Sequence, residues 1–264
     1  MDQEAIARAA GLYRDNRLEP IPLAALPDDC RPQNESEAYL IQEALAPLLT
    51  AAGMGPVAGY KIGCTTPVMQ TFLKIDHPCA GHVFNETVGA GDASFPHARF
   101  HHVGVECELA VRLATDLPAA DAPYDRDAVA AAVAGVMPAI EVVDDRYADF
   151  RALDAPTLVA DDFFGAGCVL GTAAPLVGLD LAVLKGSMSI NGENVGTGIG
   201  RDILGHPLEA LAWLANARTE RGRGLKAGNF VLLGSLVETK WVDAGDVVEI
   251  AIEGLGTATA RFPG

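Results

Sequence analysis

The sequence predicts an α+β fold, in which a helical N-terminal segment precedes a barrel-like or sandwich body made of many short strands. Three observations predict it: apolar residues recur at helical spacing through the first fifty residues, eight strand-like runs follow, and only two later helices interrupt them. We expect two units, a helical segment at residues 1–55 and a β body at residues 56–264.

The N-terminal segment is predicted to hold two helices. Ile6, Ala9 and Tyr13 share one face of the first helix, and prolines at positions 20, 22 and 27 mark a linker after it. Asn34 and Glu37 have the spacing of a capping box and predict the start of the second helix. We expect these helices to pack on the main body or on a neighbouring subunit, and we assign them no chemistry.

The strands of the body are predicted from short apolar or β-branched runs bounded by turn residues. Asn191-Gly192 is a hairpin signal, and Ala244-Gly245-Asp246 marks a second tight turn. Helices are predicted at 126–134 and from His206-Pro207 onward, while 75–82 is predicted to be a loop. The predicted strands are 57–62, 105–113, 140–143, 168–170, 188–190, 230–233, 247–252 and 257–262.

Charge and cysteine content limit the function classes. The chain has 35 acidic and 19 basic residues, and its formal charge of −16 argues against nucleic acid and anionic membranes as partners. Five cysteines without CxxC spacing indicate neither a disulfide scaffold nor a zinc knuckle. The N-terminus lacks an apolar signal core, and no run is long enough to span a bilayer, so a cytoplasmic protein is expected.

Two carboxylates stand one residue apart in an apolar strand, and a third interrupts another apolar run. Glu106 and Glu108 project from the same face, about 6.5 to 7 Å apart along the backbone. Glu141 lies in the second run. Ionised carboxylates that face a protein interior are costly unless a cation compensates them, which favours a divalent metal site. The alternative is a strand whose acidic face simply meets water.

Three further segments contain residues that could take part in chemistry or ligand binding. Lys61 lies between Gly59 and Gly63, where a strand could bring its ammonium close to a small anion, or where it could extend outward to solvent. His82 lies in a loop rich in titratable groups and is either an acid/base residue or merely exposed. The glycines at 196–200 do not open a helix as a nucleotide loop would, and they favour a sharp turn or a close approach to a ligand.

Taken together, the motifs of this chain indicate a protein family more specifically than any single motif does. The chain resembles the 2-keto-4-pentenoate hydratases and their relatives, the 4-oxalocrotonate decarboxylases, within the fumarylacetoacetate hydrolase superfamily. The resemblance runs from about Leu12 to Phe262 and implies a mixed β-roll with a helical N-terminal segment. The motifs that carry it are YKIGCTT at 60–66, DHP at 76–78, ECE at 106–108, Glu141, LGHPL at 204–208, WLAN at 213–216 and AGDVV at 244–248.

The resemblance implies that Glu106, Glu108 and Glu141 bind Mg²⁺ or Mn²⁺. It also implies that Lys61 both binds the substrate and takes part in catalysis. The expected reaction is a hydration in aromatic compound catabolism, in which water adds to a 2-hydroxydienoate or 2-oxo-enoate to give a 4-hydroxy-2-oxo acid. The expected partners are this small 2-oxo acid and further copies of the chain in a homo-oligomer.

The chain departs from the family pattern at two points. Cys79 stands where many hydratases carry an aspartate, and Asp161-Asp162-Phe163-Phe164 stands in place of Asp-Asn-Ala-Ser. We therefore take Cys79 and His82 as further catalytic candidates, and Asp161 and Phe164 as substrate-binding candidates. The departures keep alternatives open: a 2-oxo acid decarboxylase, an acylpyruvate hydrolase, or a non-catalytic subunit that binds 2-oxo acids.

Overall fold

The structure, a computed structural model, describes residues 1–19 and 21–264, with the Phe72 side chain outside the description. Pro20, which the sequence places in a linker, therefore lies outside the described residues. The described helices are α1 (Gln3–Leu18), α2 (Glu35–Leu49), α3 (Pro67–Leu73), α4 (Arg126–Ala131), α5 (Ala155–Ala160) and α6 (Pro207–Thr219). None of these helices is long and apolar enough to cross a membrane.

The strands form two mixed sheets that do not close into a barrel. The larger sheet has the order β2-β1-β10-β5-β6-β7-β3, and the smaller has the order β4-β12-β11-β8-β9. Their bounds are β1 (Val57–Gly63), β2 (Cys79–Phe84), β3 (Val88–Ala90), β4 (Asp92–Ser94), β5 (Val103–Leu113), β6 (Val133–Asp144), β7 (Gly165–Leu170), β8 (Lys185–Ile190), β9 (Glu193–Ile199), β10 (Phe230–Trp241), β11 (Val247–Ile252) and β12 (Gly256–Arg261).

The larger sheet carries a different population of side chains on each face. On β5, Val105, Cys107 and Leu109 are fully buried on the face that packs against the smaller sheet, where the Cys107 thiol lies 3.8 Å from the Ser187 carbonyl. Glu106 and Glu108 lie on the opposite face because side chains alternate along a strand. The sheet curves so that β2 and β7 contact each other, and the acidic face is enclosed on the concave side.

The N-terminal helices are bonded to the body. The Gln42 side chain of α2 donates to the Ala80 and Val159 carbonyls, each at 2.8 Å, which ties α2 to β2 and α5. Asn34 caps α2 by accepting from the Glu37 amide at 3.0 Å, as the capping-box spacing predicts. The α+β fold with a helical N-terminal segment is thus confirmed.

Several predictions for individual elements were wrong. Helices α3 and α5 were not predicted, and β6 and β10 are longer than the strands predicted at 140–143 and 230–233. The predicted loop at 75–82 contains the start of β2, because Cys79–Phe84 pairs with β1 in antiparallel register. The helix predicted at 126–134 ends at Ala131, because β6 begins at Val133. In both places the pairing of a neighbouring strand decides the conformation, and no short window of sequence contains that information.

The glycines at 196–200 serve close packing inside the protein. A Cβ built on Gly198 would lie 1.8 Å from the Leu236 carbonyl oxygen, and one on Gly200 would lie 1.8 Å from the Leu181 carbonyl oxygen. Strand β9 can therefore approach the backbone of β10 only if it carries no side chain there. The sequence suggested a close approach to a ligand, whereas the close approach observed here is made to neighbouring backbone.

Candidate active site

The three predicted carboxylates converge on the concave face of the larger sheet. Glu106 and Glu141 are direct partners in the antiparallel pairing of β5 with β6, and Glu108 lies two residues further along β5. One oxygen from each of the three carboxylates lies within 4.8 Å of the other two. Glu108 and Glu141 are only 1% and 2% exposed, so the water-facing alternative does not describe them.

Two residues of β10 hold these carboxylates in place. The Gly234 amide donates to Glu108 Oε2 at 2.7 Å, and the Thr239 hydroxyl donates to Glu106 Oε1. Gly234 lies at an irregularity in the pairing of β10 with β5, and its φ of +132° is a conformation that favours glycine. The irregularity turns one backbone amide of β10 toward the buried carboxylate.

Burial and mutual repulsion govern the ionisation of the carboxylate cluster. Burial, with the nearby charges of Glu141 and Glu106, raises the pKa of Glu108 well above its ordinary value. Burial is also the largest influence on Glu141 and, although the Lys61 charge opposes it, the pKa of Glu141 is raised to about 7. Both shifts arise because ionised carboxylates are poorly solvated and repel one another here.

Lys61 of β1 lies beside the cluster and is 3% exposed. Its ammonium forms an ion pair with Glu141 and donates to the Phe163 carbonyl at 2.9 Å. Burial alone would lower the pKa of Lys61, but the charges of Glu141 and Glu106 outweigh it and raise that pKa above its ordinary value. Lys61 is therefore a buried cation that faces the site, and the outward-pointing alternative is excluded.

The donor set fits a hard divalent cation. Although Glu141 Oε1 is ion-paired with Lys61, no donor among the described residues meets hydrogen-bond geometry at this buried oxygen. Three converging carboxylates and an oxygen of this kind match the all-oxygen ligand sets that Mg²⁺, Mn²⁺ and Ca²⁺ prefer. A cation would also offset the cost of ionising Glu108 and Glu141 together.

Cys79 and His82 lie on opposite faces of β2. The β1–β2 register pairs Gly63 with Cys79, Lys61 with Gly81 and Tyr60 with His82, so Cys79 shares the face of Lys61 whereas His82 shares that of Tyr60. Cys79 is fully buried, and contact with the Cys64 thiol, followed by burial, raises its pKa far above the ordinary thiol value. At neutral pH, Cys79 is therefore a neutral thiol.

His82 nevertheless reaches a cavity that adjoins the cluster. A cavity of about 370 Å³ is lined by His82 and Glu141, together with Arg17, Arg146 and Phe100. The His82 Nδ1 atom lies 3.1 Å from Asp162 Oδ1, and the His82 backbone amide donates to the same oxygen at 2.8 Å. The volume is at the small end of ligand sites and suits a short-chain acid.

Asp161 lies in a buried ionic network. Its two carboxylate oxygens accept from Arg17 Nε at 2.9 Å, from an Arg146 terminal nitrogen at 2.8 Å and from the Tyr147 hydroxyl at 3.2 Å. The carboxylate is 0% exposed, so its oxygens already have internal partners. The predicted substrate contact of Asp161 stays a prediction, and the observed bonds join α1 to the segments that directly follow β6 and α5.

Phe163 contacts Lys61, whereas Phe164 packs among aromatic rings. The Lys61 ammonium lies 5.8 Å from the centre of the Phe163 ring, and that ring lies 3.5 Å from the position of a Cβ built on Gly63. Phe164 makes edge-on contacts with the rings of Phe163, Tyr147 and Phe150 at 5.5 to 5.9 Å. Its predicted role in substrate binding stays a prediction.

Sequence reasoning missed four residues that build this site. Gly234 could have been found, because a glycine inside an apolar strand is a signal for an irregularity. Thr239 lies close to Glu106 only through the pairing of β10 with β5, and Arg17 and Phe163 reach the site from distant parts of the chain. No local pattern in the sequence marks these three contacts.

Comparison with known proteins gives consistent results for family and fold. The family model for the fumarylacetoacetate (FAA) hydrolase C-terminal domain matches residues 75–262. The chain is 36% identical to a 2-keto-4-pentenoate hydratase of Paraburkholderia xenovorans strain LB400, covering 91% of this chain and 88% of that one. It is 33% identical to a 2-hydroxyhexa-2,4-dienoate hydratase of Comamonas testosteroni, covering 91% and 90%.

A solved structure matches over almost the whole chain. The 4-oxalocrotonate decarboxylase of Pseudomonas putida G7, complexed with magnesium and adipate, superposes with a TM-score of 0.93 at 28% identity. The match covers 99% of this chain and 98% of that protein, so it includes the N-terminal helices as well as both sheets.

Proposed function

Because this chain belongs to the fumarylacetoacetate hydrolase family, we propose that it is a divalent-metal-dependent hydratase acting on a short 2-hydroxydienoate or its 2-oxo-enoate tautomer. The observation that carries the proposal is the buried Lys61 ammonium beside three convergent carboxylates, Glu106, Glu108 and Glu141. Hydratases of two organisms among the relatives support hydration as the reaction.

The three carboxylates would hold Mg²⁺ or Mn²⁺. A cation bound there would supply Lewis-acid polarisation of the substrate oxygens. The solved relative that is complexed with magnesium supports a divalent ion as the cofactor. The all-carboxylate ligand set favours these hard ions over Zn²⁺, which more often takes histidine or cysteine ligands.

Lys61 binds the negatively charged end of the substrate. Its ammonium is buried and keeps its proton, so it can neutralise a C1 carboxylate or a developing charge on the C2 oxygen without a large reorganisation. Because Lys61 lies between Glu141 and the Phe163 carbonyl, its charge is held at a fixed point beside the carboxylates.

His82 is our candidate for activating water. In the hydration, a proton moves from the C2 hydroxyl to C5, water oxygen then adds to C4, and a proton is delivered to C3. His82 lines the cavity, and Asp162 at Nδ1 can fix its tautomer, as carboxylates do for other catalytic histidines. Cys79 cannot take this role as a base because its thiol remains protonated.

Turnover of 2-hydroxypenta-2,4-dienoate tests the function. With Mg²⁺ or Mn²⁺, the purified protein should remove the dienoate absorbance and form 4-hydroxy-2-oxopentanoate, and the K61M variant should lose this activity. Unchanged absorbance with either ion would refute the proposal.

Decarboxylation of a 2-oxo-enedioate is the second candidate. Two observations favour it: the decarboxylase superposes over nearly the full chain, and Cys79 stands in place of the aspartate of many hydratases. Release of carbon dioxide, measured on the same preparation, separates it from simple addition of water.

We also propose a homo-oligomer in a reducing, cytoplasmic setting. All five cysteines are buried and free, which suits a compartment that keeps thiols reduced. Sedimentation of the purified chain tests assembly, and a monomer at micromolar concentration would contradict it.

A further inference from the structure

The turn Asp162–Phe164 has an unusual backbone next to the site. Its three residues have φ values of +50°, +49° and +64°, and none of them is glycine. Non-glycine residues rarely enter this region even singly, and such conformations persist only where surrounding contacts hold them. A run of three therefore points to strong anchoring and to a role for the turn.

Asp162 is the anchor of the turn. Its carboxylate is 0% exposed and accepts from an Arg17 terminal nitrogen at 3.0 Å as well as from the amide and ring of His82. Burial alone would raise the pKa of Asp162, but Arg17 and His82 outweigh it, so its pKa is lowered and the charged form is kept. The turn is thus pinned to α1 on one side and to β2 on the other.

The turn places two parts of Phe163 against Lys61. The Phe163 carbonyl accepts from the ammonium at 2.9 Å, and the ring lies 5.8 Å from it. The approach requires bare backbone: a Cβ on Gly81 would lie 2.8 Å from the Asp162 carbonyl oxygen and 3.1 Å from Lys61 Cγ. The lysine stem and the turn therefore fill the space that a side chain at 81 would occupy.

We propose that the turn Asp162–Phe164 positions Lys61, and that Asp162 is the positioning residue which fixes the turn. Without this anchor, the Phe163 carbonyl would move away and the ammonium would remain with Glu141 alone. Lys61 would then be drawn toward the carboxylates and away from the substrate anion. The inference rests on the proposed function, because it assumes that Lys61 binds the anionic end of the substrate.

A double-mutant cycle between Asp162 and Lys61 tests the inference. Asn tolerates positive φ as well as Asp does, so D162N removes the charge while the backbone conformation stays accessible. Affinity for oxalate in the presence of Mn²⁺ is measured by calorimetry for the wild type, D162N, K61M and the double variant. Thermal unfolding of each metal-free protein shows whether it is folded. If D162N is unfolded, D162G replaces it, because glycine also adopts positive φ readily.

We expect D162N to weaken oxalate binding by about threefold to tenfold, the size of coupling between residues of one hydrogen-bond network. In the K61M background, D162N should change the affinity for oxalate by less than about twofold, because Lys61, the residue that Asp162 positions, has been removed. D127N, which removes an exposed carboxylate on α4, should leave the affinity unchanged in both backgrounds.

The outcomes separate this inference from the proposed function. If K61M binds oxalate as tightly as the wild type, the substrate-binding role of Lys61 fails, and this inference fails with it. If K61M weakens binding but D162N has no effect, or has the same effect with and without Lys61, only the positioning role is overturned.

Discussion

At the scale of single residues, the site gathers more negative charge than its protein neighbours neutralise. Lys61 is the cation in contact with Glu141, while Glu108 has the Gly234 amide as its hydrogen-bond donor. The raised pKa values of Glu108 and Glu141 express this imbalance. A residue that is needed to bind a cation is therefore expected to destabilise the metal-free protein.

We predict that E108Q separates stability from metal binding. Glutamine can still accept the Gly234 hydrogen bond, but it removes a buried charge, so the metal-free variant should melt at or above the wild-type temperature at pH 8. Its affinity for Mn²⁺ should fall at least about tenfold, since a charged oxygen ligand is lost. Melting in EDTA and titration calorimetry measure the two effects.

The control for this variant is E193Q, which changes an exposed carboxylate on β9 and should alter neither quantity. A large drop in the melting temperature of metal-free E108Q would show that Glu108 stabilises the fold by itself.

The roles of His82 and Cys79 are separable by substitution. General acid–base groups contribute about 10² to 10⁴ in rate, so H82N should lower kcat by about a hundredfold. The side-chain amide of the asparagine can still reach Asp162. C79A should lower kcat by less than about tenfold, because a neutral buried thiol does not activate water. Steady-state kinetics with 2-hydroxypenta-2,4-dienoate gives both values.

H102N is the matched control, since His102 is exposed and stacks on Trp241 at a ring distance of 4.0 Å. Should C79A prove as damaging as H82N, Cys79 would regain a direct part in the chemistry.

At the scale of elements, the register between strands assembles the site. The pairing of β5 with β6 brings Glu106 opposite Glu141, and the irregular pairing of β10 with β5 turns the Gly234 amide toward Glu108. Like charges directly opposite one another destabilise a sheet. The remaining pairs along β5 and β6 are largely apolar and buried, and they hold the register despite this repulsion.

We predict that G234A damages the site through β10. A Cβ at 234 would lie 2.5 Å from the Thr65 hydroxyl, so the backbone must shift and the hydrogen bond to Glu108 is lost. Metal affinity should fall at least about threefold, because losing one such bond costs about 1 kcal/mol. Calorimetry with Mn²⁺ measures it.

G245A provides a sharp comparison. Gly245 also has positive φ, +97°, but nothing lies within 4 Å of its Cβ position, and it occupies a turn between β10 and β11. Both variants should lose about 1 to 2 kcal/mol of stability from backbone strain, yet only G234A should lose metal affinity. Equal metal affinities for the two variants would contradict the role of the β10 irregularity.

At the scale of the whole molecule, the carboxylate site makes stability depend on pH. The folded state raises the pKa of Glu141 from 4.5 to about 7, so between these values the folded protein binds more protons than the unfolded chain. Stability then falls as pH rises through this window, and the loss is complete above pH 7. For Glu141 alone the shift corresponds to a loss on the order of 3 kcal/mol.

We predict that the metal-free protein loses stability between pH 5 and pH 7, and that E141Q loses less over the same range. Urea unfolding in EDTA at pH 5, 6, 7 and 8 gives the difference between the two proteins. Adding Mg²⁺ or Mn²⁺ should restore wild-type stability most strongly at pH 7 and above, because the cation binds the ionised carboxylates. Parallel profiles for the wild type and E141Q would contradict the raised pKa.

Local sequence patterns were sufficient to predict strand alternation and one hairpin turn. Alternation along β5 predicted that Glu106 and Glu108 share one face, and Asn191-Gly192 predicted the β8–β9 turn. The start of β2 was missed because Cys79–Phe84 is rich in small residues and is recognisable as a strand only beside β1. Lys61 could be singled out from sequence, but its inward direction could not.

Local periodicity predicts the class of the fold, and the motifs taken in order identify the family and single out the three acidic residues with Lys61 as site candidates. Tertiary packing is needed to bring Phe163 to Lys61, Arg17 and His82 to Asp162, and the Gly234 amide to Glu108. The Lys61–Phe163 contact joins positions 102 residues apart, and the Arg17–Asp162 contact joins positions 145 apart. Such contacts form when strands pair and the sheet curves, which no local pattern contains.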